Sequence, residues 1–194
     1  MSIVIAYKKG DTVYMGADTK RSQGEFTTTI ESKNEMKINK IGNEMLIGSV
    51  GAVANIQTML DNREMWFNTK GKQLTKKFIV ENVIPKFFIA LKNEGKMKVE
   101  KGKSPIANSC FCVTDGKKIY LINDNFTVTE INDFCAIGCT CDIAYAYLRN
   151  AKSDKEPNDI ILSALRGSVY RHDGVGAPYL FIDTEKFEYT DVEK

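Results

Sequence analysis

The sequence predicts an α+β domain in which antiparallel sheets carry helices on their outer faces. Three observations lead there. The first fifty residues read as strands joined by turns, the apolar pattern then switches to a helical period for two segments, and strands, two helices and strands follow. Helix pairs set between hairpins fit a layered packing, because each apolar sheet face and helix stripe must bury itself against another element.

Ser2–Tyr7 is apolar, Lys8-Lys9-Gly10-Asp11 makes a turn, and Thr12–Ala17 carries β-formers up to Asp18. Phe26–Ile30 is a β-rich patch. Met36–Ile41 and Met45–Val50 form a second hairpin around Gly42-Asn43. Ala52, Ile56, Met59, Leu60 and Phe67 recur at helical spacing, so Gly51–Phe67 is expected to be one helix. A second helix, from about Leu74 to Lys92, should kink at Pro85, which lacks a backbone donor. Lys92–Lys103 reads as a solvated loop. Strands return at Ser109–Thr114, Lys118–Leu121 and Thr127–Glu130. Thr140 looks like the N-cap of a helix through Asn150. A fourth helix opens between Ser153 and Pro157 and stops by Gly174. Tyr179–Ile182 and Lys186–Tyr189 make a final hairpin. No linker or repeat interrupts the 194 residues, so one domain over 1–194 is expected, long enough to bury a core.

Composition excludes several functions. Lys and Arg number 27 and Asp and Glu 25, and the net charge of +2 argues for neither nucleic acid nor an anionic membrane as partner. No apolar run approaches the roughly 20 residues of a transmembrane helix. The basic residues Lys8 and Lys9 follow the first apolar stretch, the reverse of a secretory signal, so a cytoplasmic location is expected. Cys110, Cys112, Cys135, Cys139 and Cys141 lack zinc-knuckle spacing, and His172 is the lone imidazole, so reduced thiols packed as small hydrophobes are expected and no metal. No cofactor is expected either, since phosphate-binding and dinucleotide-binding glycine motifs are absent. One histidine and no G-x-S-x-G elbow also disfavour a Ser-His triad.

Ser2-Ile3-Val4-Ile5-Ala6, Lys9-Gly10-Asp11 and Met15-Gly16-Ala17-Asp18 together resemble the opening of proteasome β-subunits and HslV-type peptidases. The resemblance continues through Lys20, Ser22 and Gly24, Met36-Lys37-Ile38 and Ile47-Gly48-Ser49-Val50-Gly51, and returns at Ala136-Ile137-Gly138-Cys139. It implies the N-terminal-nucleophile (Ntn) hydrolase fold, a four-layer αββα sandwich of two antiparallel sheets flanked by helix pairs. It also implies polypeptide substrates, a homo-oligomeric ring and an unfoldase ATPase as partner.

By the same resemblance Ser2 falls on the family's nucleophile, exposed once Met1 is removed. A hydroxyl needs a nearby base, and a free α-amine, with a pKa of about 7.7–8.0, supplies one without histidine. Lys37 would sit beside the hydroxyl as a cation, Asp18 would hold Lys37, and the N–H of Gly48 would stabilise the oxyanion. Gly48 fits a packing glycine as well. Cys139 stands where the family has a serine that orients the amine. Asp173 is the nearest match to a further family aspartate, although a strict helix alignment offers His172, which also suits a helix C-terminus. The leading expectation is a peptidase acting through Ser2. A catalytically inactive assembly subunit that keeps Met1 is the alternative, and an Ntn amidohydrolase acting on a small amide comes third, since its members often begin with Cys and positions 1 and 2 are Met and Ser.

Overall fold

Apolar residues fill the N-terminal strands because those strands are buried on both faces. The computed structural model describes residues 1–23, 26–32, 35–42, 44–69, 74–97, 104–152, 154–171 and 174–192. Strand β1 (Ile3–Lys9) pairs antiparallel with β2 (Thr12–Asp18), followed by a small separate hairpin, β3 (Lys20–Gln23) with β4 (Phe26–Thr29). Then come β5 (Ile38–Ile41), β6 (Met45–Gly51), helix α1 (Val53–Asp61), a 3-10 segment (Arg63–Thr69), and α2 (Lys76–Phe78), which runs through a π-helical stretch (Ile79–Val83) into α3 (Ile84–Asn93). The second half supplies β7 (Ser109–Thr114), β8 (Ile119–Ile122), β9 (Val128–Ile131), β10 (Phe134–Gly138), α4 (Cys141–Arg149), α5 (Pro157–Val169), β11 (Tyr179–Asp183) and β12 (Thr190–Val192).

One five-stranded sheet has the order β10-β1-β2-β11-β12 and the other β5-β6-β7-β8-β9, with every neighbouring pair antiparallel. Side chains alternate across each strand. Ile3 and Ile5 of β1 pack with Ile161, Ala164 and Leu165 of α5, while Val4 and Ala6 face Leu46, Val50 and Cys112 of the other sheet. On that sheet's far side Ile47, Phe111 and Val113 meet Met59, Val83 and Phe87 from the helices. Three apolar interfaces therefore separate four layers, the αββα sandwich the sequence implied. Cys112 and Cys135 pack as small hydrophobes between the sheets. Among the described residues no helix is long and apolar enough to cross a membrane.

Several local expectations are corrected. The helix expected over Gly51–Phe67 breaks at Asn62, whose backbone N–H and side-chain Nδ2 both bond the Thr58 carbonyl, Nδ2 at 2.8 Å. Pro85 is absorbed by a wider turn: the Ile84 N–H reaches back five residues to Ile79, and the helix continues. Strands β3 and β10 were not anticipated. Thr140 does occupy the position before α4, yet its side chain makes no cap bond and its Oγ1 is buried without a partner. The fourth helix ends at Val169, short of Gly174, and β12 starts at Thr190, after the expected Lys186–Tyr189. Residues 98–103 of the expected lysine-rich loop lie outside the described residues.

Candidate functional site

Ser2 lies just before β1, where the end of β2 and the end of β10 flank it. Gly138 pairs with Ile3 at φ +122°, and a Cβ there would collide with the Ser2 carbonyl oxygen, so glycine is what lets β10 pass so close. The next residue, Cys139, donates its N–H to the same carbonyl at 3.1 Å, and its exposed thiol lies 3.6 Å from that oxygen. In the chain as it stands Ser2 is peptide-bonded to Met1, and its hydroxyl donates to the Met1 carbonyl at 2.8 Å.

Asp18, the last residue of β2, is 1% exposed. Its Oδ1 accepts the Ile3 N–H at 2.8 Å and the Lys37 ammonium at 2.6 Å. Lys37 comes from the other sheet, immediately before β5, and is 7% exposed. Burial pushes the Asp18 carboxyl up and the Lys37 amine down, and their mutual attraction opposes both shifts. Cys139 is near enough to Lys37 that a thiolate there would favour the ammonium. A charged pair this deep persists because its partners compensate each other's lost hydration.

Gly48 is not brought to this group. It lies within β6 with its Cα facing the core between the sheets, where a Cβ would come within 2.5 Å of Val4 Cγ1 and 2.8 Å of Met15 Cε. The Ser49 N–H donates to the Lys37 carbonyl at 2.8 Å. Successive amides point to opposite edges of a strand, so the Gly48 N–H faces β7 and the Gly51 N–H faces the Lys37 edge. Strand β5 starts at Ile38, opposite Gly48, and so does not reach Gly51. Gly51 has φ +117°, and a Cβ on it would strike the Asn108 carbonyl oxygen. The sequence carried this signal in Gly48-Ser49-Val50-Gly51, two glycines three apart, but strand register alone decides between them.

Ser2, Lys37, Ser49 and Gly51 share a cleft of about 90 Å³. Ile30, Met36, Ile56 and Leu60 give it an apolar lining, and Arg21 and Glu35, 3.4 Å apart, also border it. Asp173 and His172 lie outside the described residues. The adjoining Gly174 packs against Met1 and Ser22, with a Cβ placed there 2.9 Å from Met1 Cε and 2.7 Å from Ser22 Oγ. Among the described residues no group of three or more His, Cys, Asp or Glu could hold a metal ion.

Solved structures share this architecture. BPH from Thiobacillus denitrificans superposes with a TM-score of 0.73 at 17% identity, covering 93% of this chain and 96% of that one, and another structure of the same protein holds epoxomicin. Eukaryotic HslV from Trypanosoma brucei gives 0.64 at 15%, over 93% and 98% of the two chains. The Gly-1 mutant of Anbu from Hyphomicrobium sp. strain MC1 gives 0.71 at 15%, over 100% and 87%. No curated protein sequence matches the chain. At these identities the structures speak for the fold alone, and membership rests on the sequence profile of the proteasome subunit, which matches residues 2–176. The chain therefore belongs to the proteasome subunit family.

Proposed function

We propose that the chain, as a single domain over residues 1–194, is a peptidase that hydrolyses peptide bonds through Ser2. The observation that carries this reading is the buried Asp18–Lys37 pair, tied by one carboxylate oxygen to the strand that Ser2 begins and opening on the cleft that Ser2 lines. The reading requires cleavage of the Met1–Ser2 bond, which frees the α-amine. The neutral amine takes the hydroxyl proton as Oγ attacks the substrate carbonyl. The Lys37 ammonium favours the developing alkoxide, and Asp18 positions Lys37. The Gly51 N–H, in place of Gly48, donates to the oxyanion. Collapse passes the proton to the leaving amine and leaves an acyl-ester on Ser2. Water, deprotonated by the same α-amine, then releases the acid. Cys139 positions the amine from the end of β10, and Asp173 is a further contributor.

The cleft next to Ser2 would take a substrate side chain. The epoxomicin complex of BPH supports an inhibitor of that type as a probe. Polypeptides are the substrates on this reading, a cytoplasmic homo-oligomeric ring encloses the sites, and an unfoldase ATPase feeds them. Fluorogenic peptide hydrolysis by the chain lacking Met1 tests the reading. Activity that disappears in Ser2→Ala supports it, and an inactive Met1-free chain refutes it. The second reading, an inactive assembly subunit, is favoured by the exposed thiol of Cys139 where the resemblance has a serine; a subunit of that kind would keep the Met1–Ser2 bond, with Ser2 acylated on nitrogen and without its base.

A further inference from the structure

We propose that Cys112 and Cys135 form a reversible oxidation site, a dithiol that hydrogen peroxide closes into a disulfide between the two sheets. Cys112 lies on β7 and Cys135 on β10, and both side chains point into the core between the sheets. They are 1% and 0% exposed, and each thiol is the other's hydrogen-bond partner. Among the described residues the cysteines form no metal-holding group, whereas two thiols in contact are placed for a two-electron oxidation. Their surroundings give them different roles. The Cys112 S–H and the Tyr145 hydroxyl of α4 both bond Cys135 and favour its thiolate against the opposing effect of burial. The Cys112 thiol is pushed well up, first by the same hydrogen bond and then by burial. Cys135 is thus the attacking thiol and Cys112 the resolving one.

Burial selects the oxidant. Hydrogen peroxide is small and uncharged, so it crosses an apolar layer that a peptide disulfide does not. Strand β10 is the edge of its sheet, where local opening costs least. Cys110 and Cys141 are both half-buried and close enough to Cys135 for the charges to interact, so sulfur extends from the pair towards the surface. The Cys135 sulfur attacks one peroxide oxygen, the O–O bond breaks, and the departing hydroxide leaves as water with the Cys135 proton. The resulting sulfenic acid is attacked by the Cys112 sulfur. The S–O bond breaks, the S–S bond forms, and a second water carries off the Cys112 proton. Two thiols are oxidised and one peroxide is reduced to two waters. A reducing environment keeps the pair open, and the oxidised bond ties β10, whose end holds Gly138 and Cys139 against the Ser2 carbonyl, to the opposite sheet.

The test needs no activity at Ser2. The full chain, reduced and freed of reductant, is treated with hydrogen peroxide, then denatured and alkylated with N-ethylmaleimide. The expected product is two hydrogens lighter and takes three N-ethylmaleimide groups where the reduced chain, with its five cysteines, takes five. Peptide mapping should find Cys112 joined to Cys135, and dithiothreitol should reverse the link. The same oxidation in urea should lose the preference for this pair, because the sheets that bring the two strands together are gone. In Cys112→Ala the resolving thiol is missing, so dimedone, which traps sulfenic acids, should label Cys135. A native chain that keeps five alkylatable thiols, or that links other cysteines in place of this pair, overturns the proposal. So does a pair that forms equally well in urea, and so does a Cys112→Ala chain that dimedone leaves unlabelled at Cys135.

Discussion

Oδ1 of Asp18 accepts both the Lys37 ammonium at 2.6 Å and the Ile3 backbone N–H at 2.8 Å, so a single oxygen links one sheet's buried cation to the strand that starts beside Ser2. The pair therefore couples stability and chemistry. Asp18→Asn leaves a buried ammonium uncompensated and should cost about 3–5 kcal/mol in urea unfolding. Lys37→Ala should abolish reaction at Ser2. The double variant Asp18→Asn/Lys37→Met removes both charges and should recover much of the lost stability while remaining unreactive. A double variant that regains reactivity would separate Lys37 from the chemistry.

Gly48→Ala should lower stability by about 1–3 kcal/mol, because its methyl enters the contact between Val4 and Met15 at the centre of the sandwich. Thermal unfolding checks this. A variant as stable as the parent would mean that the sheets can part there at no cost.

The rate of the Met1-free chain should follow a bell in pH. On the acid side it rises as the Ser2 α-amine becomes neutral, with a midpoint set by an amine of pKa about 7.7–8.0. On the alkaline side it falls as Lys37 loses its proton. Burial lowers the pKa of Lys37, so this limb should fall below the ordinary lysine value of 10.5. A rate still climbing at pH 10.5 would contradict the role given to Lys37.

Cys139→Ser should raise kcat several-fold on the Met1-free chain. A hydroxyl is a stronger hydrogen-bond partner than a thiol for the amine it would orient, a difference of about 1 kcal/mol. Steady-state kinetics with a fluorogenic peptide read it. An unchanged or lower kcat would show that the thiol at this corner contributes something a hydroxyl does not.

The layered fold was legible because period changes mark its boundaries: alternating or continuous apolar runs before Gly51, helical spacing after it, and strands again from Ser109. Asp18 and Lys37 were marked by the family resemblance rather than by the strand pattern, which reads them as a turn former and a solvent-facing charge, and the structure joins them. What failed depended on register and tertiary company. Phe134–Gly138 is too short and too uniformly apolar to announce a strand, and becomes one by pairing with β1. Gly48 and Gly51 look alike in sequence, and only the Ser49–Lys37 hydrogen bond shows which edge each amide faces. Asn62 ends α1 with a side-chain bond that periodicity does not register. Arg21 and Glu35, distant in sequence from the motif at Ser2, meet only once β3 and the segment before β5 converge.

The intact mass of the protein purified from its native host, before and after incubation with epoxomicin, decides whether Ser2 is a free N-terminal nucleophile. A chain lighter by one methionine is expected to gain the mass of one inhibitor, with the adduct mapping to Ser2 and lost in Lys37→Ala. A chain that retains Met1 and never gains the adduct would contradict it.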